Sequence, residues 1–384
     1  MVTPFIHNSI LSDGGDYISL GYYMAGYPVE FGRSWMRPPF IPFLFSLFYR
    51  VSTDWPVTWI ATWTIPVICC LGMIFLYKLL SETVNREVGL LASILLTTNY
   101  IHWYYSNQVR VEAPAGALVV VCAYLFWKGI HGSNKHLYAC GALTAIACMT
   151  KFFAGLLFPF YIGYILTTKK TRVFRERHIW ISIAICLLTF SPWLAFNALN
   201  FGSPIIPIQV EGSYIFYVNP RGEAYWYSYI QGLPFFLNAS GAALFVLGLI
   251  LTIRELRKDP PRRDQNLFLL LFMLAMYGGL NVFPNKWEFT RYSSFFIPSL
   301  IPFIAIGLQA FRKFRLYPYL IVLVAVATNQ IHPLLIFDLS LSPLSISIIP
   351  PVGVLKGFAI PKIVDWSTLS PESFDPIVAV SKFI

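Results

Sequence analysis

Acidic and basic side chains that could act on a substrate are concentrated near the start of the chain. The segment 12–40 contains Asp13 and Asp16 and, further on, Arg33 and Arg37. A carboxylate can remove a proton from a hydroxyl as a general base, and a guanidinium can bind a phosphate group through two parallel hydrogen bonds. The segment therefore predicts a site at which an attacking hydroxyl meets a phosphate-bearing group.

Further ionisable residues lie at the ends of later apolar runs. Arg110 and Glu112 precede one run, Lys151 separates two others, and Arg291 stands beside Tyr292 at the start of another. Such residues at membrane depth are energetically expensive and usually face a cavity or one another. Each alone could be an interfacial anchor, but together they predict one site. The predicted catalytic residues are Asp13, Asp16 and Glu112. The residues predicted to bind the donor and its phosphate are Arg33, Arg37, Lys151, Arg291 and Tyr292.

The motifs of several other enzyme classes are missing from the sequence. GxxxxGK(S/T), GxGxxG, HExxH and GxSxG do not occur, which argues against an ATPase, a nicotinamide-dependent enzyme, a zincin or a serine hydrolase. The six histidines are scattered, so no histidine cluster predicts a metal site. No cofactor is predicted with certainty; a divalent metal is compatible with the pattern but is not required by any cluster.

The elements that must position these residues are membrane helices. The 384 residues are 57% hydrophobic and only 12% charged, and the mean hydropathy is +0.62. Runs of about 20 apolar residues, the length that crosses a bilayer as a helix, recur along the chain. The six cysteines lie inside these runs with no zinc-like spacing, which indicates packing residues.

The net charge of +10 indicates orientation in a membrane and not binding to nucleic acid. Basic residues cluster in three short loops near 169–177, 254–263 and 312–315, as the positive-inside rule expects of cytoplasmic loops. The loops at 81–86 and 130–135 fall on the same side. Both termini and the loops at 106–108, 199–232 and 284–290 then lie on the outer face, with the proposed site residues.

These features predict an all-α, multi-pass transmembrane helical bundle with about ten spans. The predicted spans lie near 55–80, 87–105, 109–129, 136–150, 152–167, 179–198, 233–253, 266–283, 291–311 and 316–334. The apolar stretch 38–50 is too short and too rich in proline to span, which favours an interfacial helix in the first outer loop. We divide the chain into a catalytic loop (1–54), a transmembrane domain (55–334) and a short outer tail (335–384).

Six short motifs occur in order between residues 12 and 310, and the ordered set resembles one family. They are Asp13-x-x-x-Tyr17-x-x-x-Gly21, Arg37-Pro38-Pro39-Phe40, Glu112-Ala113-Pro114, Thr150-Lys151 after a small-residue helix, Ser191-Pro192-Trp193 with Phe201-Gly202-Ser203-Pro204, and Arg291-Tyr292 before a proline-bearing span. This order resembles the GT-C polytopic glycosyltransferases, especially the branch containing protein O-mannosyltransferases and the aminoarabinose transferases of lipid A.

The resemblance implies transfer of a sugar from a polyprenyl-phosphate carrier to a protein, lipid or glycan acceptor on the outer face of the cell membrane. It implies that Asp13 is the catalytic base, Arg37 a carrier contact, Glu112 a second acid and Lys151 a polar group near the carrier. The chain departs from the family in two respects. Only twelve residues precede Asp13, where the family has a span. This favours a start codon placed inside a longer gene over an N-terminus that is translocated without that helix. Gly14 stands where many relatives carry a second acid, so Asp16 is an alternative base.

Two other classes of function compete with the transferase. A secondary transporter or lipid flippase would show repeated halves and ionisable residues near the middle of the membrane, whereas the polar residues here gather at the outer ends of the spans. A membrane scaffold without catalysis is the third class. A single groove lined by Asp13, Arg37 and Glu112 would favour the transferase, and two pseudo-symmetric halves would favour transport.

Overall fold

A computed structural model describes residues 13–28, 37–51, 57–168, 176–210, 228–258, 262–282 and 289–326. All of them belong to the first of two units into which the chain divides, residues 1–332, and the second unit, 333–384, lies outside the described residues. The predicted outer tail therefore lies outside them too, and the three predicted domain boundaries stay predictions.

The described residues form helices and no strands, which confirms the predicted all-α fold. The first eight helices are α1 (Asp13–Met24), α2 (Phe40–Tyr49), α3 (Val57–Thr83), α4 (Arg86–Thr98), α5 (Tyr100–Ser106), α6 (Glu112–His131), α7 (Asn134–Thr150) and α8 (Leu157–Thr168). The others are α9 (Arg177–Phe201), α10 (Ser228–Gln231), α11 (Leu233–Lys258), α12 (Arg263–Met273), α13 (Gly279–Val282), α14 (Phe289–Gln309) and α15 (Tyr317–Val326). A 3-10 segment, Phe152–Leu156, precedes α8, and a π-helical segment, Leu274–Gly278, joins α12 to α13.

The predicted apolar segments are helical over most of their described residues, as a chain in lipid must be to satisfy its backbone hydrogen bonds. The predicted span 87–105 is an exception, because Asn99 has extended backbone and divides it into α4 and α5. Six of these helices are long and apolar enough to cross a membrane: Trp63–Thr83, Glu112–His131, Arg177–Phe201, Phe236–Lys258, Arg263–Val282 and Arg291–Gln309. The count of about ten spans stays a prediction.

The two most enclosed spans are α6 and α14, which pack against each other. Of the most apolar stretch of each helix, 78% is buried inside the protein in α6 and 83% in α14, against 11% in α9. A Cβ atom at Gly116 of α6 would lie 2.6 Å from the carbonyl oxygen of Phe295 in α14, so the two backbones are nearly in contact. Because Glu112 and Arg291 lie in the first turns of these helices, the central packing of the bundle brings both to one end of it.

The far ends of α4 and α14 are fixed by a separate polar cluster around Glu87. Its carboxylate accepts hydrogen bonds from Gln309 at 3.1 Å and Tyr317 at 3.0 Å and pairs with Arg312 at 3.1 Å. Gln309 ends α14 and is 18 residues from Arg291, roughly 27 Å at 1.5 Å per residue. This cluster is therefore at the opposite end of the bundle and supplies control residues for experiments on the site.

The first two helices pack against each other before the bundle begins, with their C-terminal ends together. Tyr22 of α1 stacks on Tyr49 of α2 with ring centroids 4.0 Å apart, and Arg50 donates to the carbonyl oxygen of Met24 at 2.9 Å. A Cβ atom at Gly21 would lie 3.1 Å from the carbonyl oxygen of Pro42. The small residue of the first motif is thus needed for the close approach of α2, which follows directly after Arg37.

We expect Gly248→Val to destabilise the protein by about 3 kcal/mol, the upper part of the range for overpacking. A Cβ atom at Gly248 in α11 would overlap the carbonyl oxygen of Phe303 in α14, and one at Gly307 would overlap that of Leu244. Because backbone is met on both sides, no rotamer change can relieve the clash. Thermal unfolding in detergent would measure the loss. Gly163→Val is the control, since a Cβ atom there meets only a leucine methyl at 3.9 Å, and equal melting temperatures would contradict the prediction.

Candidate active site

The site begins at the first turn of α1, which carries two carboxylates on one face. Asp13 and Asp16 are three residues apart, a spacing that places side chains next to each other on a helix. The guanidinium of Arg37 lies between them, with Nη2 2.7 Å from Asp13 Oδ1 and Nε donating to Asp16 Oδ2 at 2.9 Å. Arg37 therefore joins α1 to the segment before α2, and Pro38-Pro39 fixes the backbone directly behind it.

Arg291 connects this pair to the core of the bundle. Its Nη2 donates to Asp13 Oδ2 at 2.6 Å and lies 2.7 Å from Glu112 Oε1. The side chain of Arg291 is 5% exposed and that of Glu112 is fully buried. One arginine at the start of α14 thus bridges a carboxylate of the first helix and a carboxylate at the start of α6, and charged groups in such a place must be paired.

Lys151 and two aromatic rings form the side of the cluster next to α7. Lys151 follows the last residue of α7, and its Nζ lies 3.6 Å from Glu112 Oε1. The same ammonium lies 5.4 Å from the ring centroid of Phe153 and 5.6 Å from that of Tyr292. These distances are typical of cation–π contacts. Tyr292 also lies under the guanidinium of Arg291, at 5.7 Å.

Arg110 is the fourth cation of the cluster and the most weakly paired. Its Nη1 is 3.8 Å from Asp13 Oδ2, an oxygen to which Arg291 already donates at 2.6 Å. The side chain is 9% exposed. Among the described residues, four cationic side chains and three carboxylates therefore share this space, which leaves one net positive charge within that set.

The pKa of Asp13 is held well below its ordinary value. Burial alone would raise it, but the charges of Arg291 and Arg37, together with the hydrogen bond from Arg291, outweigh burial. The carboxylate is consequently ionised at neutral pH. A carboxylate in that state is a strong ion-pair partner and a weak base, so the arginines must loosen their hold on it before it can accept a proton readily.

The structure brings together seven of the eight site residues expected from the sequence: Asp13, Asp16, Arg37, Glu112, Lys151, Arg291 and Tyr292. The eighth, Arg33, lies outside the described residues. The catalytic and binding roles assigned to these residues stay predictions. Arg110 and Tyr17 belong to the cluster but were not assigned a role from the sequence. The signal for Arg110 was its position two residues before Glu112, and that for Tyr17 its place in the first motif.

Within the described ranges, no three His, Cys, Asp or Glu side chains are grouped closely enough to hold a metal ion. The acids of the cluster are instead interleaved with cations. Arg37 separates Asp13 from Asp16, and Arg291 separates Asp13 from Glu112.

A family model described as dolichyl-phosphate-mannose-protein mannosyltransferase matches residues 36–196. This match covers fewer than half of the residues, and it agrees with the resemblance to the GT-C glycosyltransferases that the motifs indicated.

The structural relatives share the fold at low sequence identity. ArnT from Cupriavidus metallidurans in the apo state is 15% identical, with a TM-score of 0.64, and the alignment covers 89% of this chain and 62% of ArnT. ArnT from the same organism bound to undecaprenyl phosphate is 16% identical, with a TM-score of 0.64, and the alignment covers 91% of this chain and 72% of ArnT. The archaeal oligosaccharyltransferase AglB from Archaeoglobus fulgidus, in complex with an inhibitory peptide and a dolichol-phosphate, is 12% identical, with a TM-score of 0.55. That alignment covers 84% of this chain and 52% of AglB.

The chain thus spans 62% of the length of apo ArnT and about half of AglB. No curated protein sequence matches it.

Proposed function

We propose that the protein is an inverting glycosyltransferase that moves a sugar from a polyprenyl-phosphate carrier to an acceptor on the outer face of the cell membrane. The observation that carries this proposal is the bridge made by Arg291 between Asp13 and Glu112, with Arg37 on the other side of Asp13. It supplies guanidinium groups and a carboxylate at one point, at the end of a membrane bundle with the GT-C fold.

The donor phosphate is proposed to bind the cations of the cluster. A sugar phosphodiester carries one negative charge, and the cluster has one positive charge in excess. Arg37 and Arg291 offer the planar fork that suits phosphate oxygens, while Lys151 acts as a point charge. The solved relatives support a lipid carrier, because one holds undecaprenyl phosphate and another a dolichol-phosphate. The ring of Tyr292 contacts both Lys151 and Arg291 and would keep these two cations in place beside the carrier.

Transfer would proceed by direct displacement at the anomeric carbon. The acceptor oxygen forms a bond to that carbon, the bond from the carbon to the phosphate oxygen breaks, and the electron pair leaves with the carrier phosphate. The proton of the acceptor hydroxyl goes to Asp13, with Asp16 as the alternative base. Attack from the side opposite the phosphate inverts the configuration. Arg37 and Arg291 stabilise the charge that develops on the leaving phosphate.

The donor itself is proposed to prepare the base. In the described structure both carboxylate oxygens of Asp13 are occupied, Oδ1 by Arg37 and Oδ2 by Arg291. A phosphate that shares these two guanidiniums weakens their attraction to Asp13, which raises its pKa toward the ordinary range and makes it a better base. The donor would therefore bind before the acceptor is deprotonated.

The transporter alternative receives no support from this site. Asp13, Arg37 and Glu112 lie in one cluster at one end of the bundle, which is the arrangement that the sequence analysis associated with the transferase. The acceptor class (protein, lipid or glycan) and the sugar (hexose or pentose) are left to experiment.

The test is donor cleavage by the purified protein. We expect reconstituted wild-type protein to release radiolabelled sugar from a polyprenyl-phosphate sugar when membrane extract is added as acceptor, and Arg37→Gln to lose most of this activity. Arg312→Gln, an exposed arginine of the distant Glu87 cluster, is the control and should retain it. The assay is repeated with mannosyl, glucosyl, galactosyl and aminoarabinosyl donors. The proposal would be contradicted if the protein moved intact donors across proteoliposome membranes and cleaved none of them.

A further inference from the structure

Among the described residues of the cluster, Arg110 and Tyr17 each have a buried hydrogen-bond donor without a partner, and neither donor makes a hydrogen bond to the carboxylates. The first is the guanidinium of Arg110, whose Nη1 has no hydrogen-bond partner among the described residues. Its nearest carboxylate oxygen, Asp13 Oδ2, is 3.8 Å away, beyond hydrogen-bond distance. An arginine can only donate, so the group requires an acceptor that the surrounding carboxylates do not provide.

The position of Arg110 is fixed although its side chain is poorly paired. Its backbone N–H donates to the carbonyl oxygen of Gln108 at 2.8 Å, which closes a tight three-residue turn immediately before α6. The next residue, Val111, is fully buried and caps α6. The guanidinium is therefore held beside Asp13 by the backbone, independently of any ion pair.

The second donor is the hydroxyl of Tyr17 on α1. The residue is completely buried, and its hydroxyl also has no hydrogen-bond partner. The guanidinium carbon of Arg37 lies 5.9 Å from the centre of the ring, and the charges of Lys151, Arg37, Glu112 and Asp13 all act on the phenol. The hydroxyl thus lies inside the charged cluster, one turn of α1 after Asp13.

Both groups suit one type of ligand. A buried donor without a partner costs free energy, and natural proteins retain such groups where a ligand or water completes them. Asp13 already accepts from Arg37 and Arg291, and Glu112, although neither of its oxygens has a hydrogen-bond partner among the described residues, accepts from neither Arg110 nor Tyr17. The excess positive charge of the cluster favours an anionic acceptor with several oxygen atoms over a neutral one.

We propose that Arg110 and Tyr17 bind the carrier phosphate directly and give it contacts that break none of the existing ion pairs. This inference rests on the proposed function and adds two binding residues to it. Arg37 and Arg291 already donate to Asp13, whereas neither Arg110 Nη1 nor the Tyr17 hydroxyl makes a hydrogen bond within the described residues. They would therefore contribute to affinity for the carrier more than to the cleavage step.

The experiment measures binding of undecaprenyl phosphate, and of dolichyl phosphate in parallel, to the full chain in detergent. Arg110→Gln is expected to weaken binding by about 10- to 100-fold, as loss of a hydrogen bond to a charged group does. Arg110→Lys, which keeps the charge but not the fork, should fall between Arg110→Gln and wild type. Tyr17→Phe should weaken binding by about 5-fold, as loss of one hydrogen bond does. Arg312→Gln is the charge-matched control and should bind as wild type does.

Thermal unfolding of the same variants separates binding from a structural role. Because Arg110 is poorly paired, Arg110→Gln should melt at the wild-type temperature or above it while its affinity falls. Unchanged affinity in both Arg110→Gln and Tyr17→Phe, with wild type binding well, would overturn the inference and leave the proposed function standing. The inference would also be overturned if Arg110→Gln bound more weakly but melted at a lower temperature, while Tyr17→Phe bound as wild type does. A wild-type protein that binds neither carrier would instead contradict the proposed function.

Discussion

Replacement of Asp13 by Asn is expected to reduce sugar transfer by about 10²- to 10⁴-fold, the usual contribution of a general base. The amide keeps the shape of the carboxylate, so it can still occupy the space between Arg37 and Arg291, but it cannot accept the proton of the acceptor hydroxyl. Transfer of label from a polyprenyl-phosphate sugar, measured over initial rates with saturating donor and acceptor, gives the effect on kcat.

Donor binding should respond in the opposite direction. Asp13 competes with the donor phosphate for Arg37 and Arg291, at 2.7 and 2.6 Å. Asp13→Asn removes the negative charge that competes, so the carrier phosphate should bind as tightly as to wild type or more tightly. A loss of transfer without a loss of binding would distinguish a base from a residue that merely holds the arginines in place.

Asp16→Asn is the matched comparison, because Asp16 is on the same face of α1 and, among the described residues, pairs with Arg37 but not with Arg291. If Asp13 is the base, Asp16→Asn should retain most of the transfer activity. Loss in Asp16→Asn alone would reassign the base to Asp16. Undiminished transfer by both variants would contradict the assignment of a base to α1 altogether.

The sequence was sufficient to predict the fold because lipid leaves few choices to a chain of this composition. Apolar runs of span length, interrupted by basic clusters, can satisfy their backbone groups only as helices. The same grouping predicted that residues near 110, 151 and 291 lie at one end of the bundle, and the structure places Arg110, Lys151 and Arg291 around Asp13 and Glu112.

The sequence could not predict which cation pairs with which acid. Arg37 reaches both acids of α1 because α2 approaches at Gly21, and that approach depends on a contact between residues 21 positions apart. Arg291 reaches Asp13 from 278 residues away in the chain. Such pairings depend on the packing of α6 against α14, which apolar periodicity does not specify. For the same reason, the sequence could not predict that Arg110 is poorly paired or that the hydroxyl of Tyr17 is buried.

The ion pair between Arg291 and Glu112 should also dominate the stability of the site. Arg291→Met is expected to destabilise the protein by about 3–5 kcal/mol, the cost of leaving a buried charge without its partner. Glu112 is fully buried, and after the substitution its closest cation would be Lys151, now at 3.6 Å. Asp13 would lose the donor to its Oδ2 at the same time.

A double-mutant cycle shows whether this cost belongs to the pair. Glu112→Gln added to Arg291→Met removes the stranded charge, so the double variant should be more stable than Arg291→Met alone, by at least about 1 kcal/mol. Arg312→Met is the control: its side chain is 69% exposed beside Glu87, and pairs of that kind are worth about 0–1 kcal/mol. Equilibrium unfolding in mixed detergent measures the wild type, Arg291→Met, Glu112→Gln, the double variant and the control. Additive losses in the double variant would mean that Arg291 stabilises the bundle by packing and not by neutralising Glu112, and the charge balance on which the site depends would then have to rest on Lys151 and Arg37.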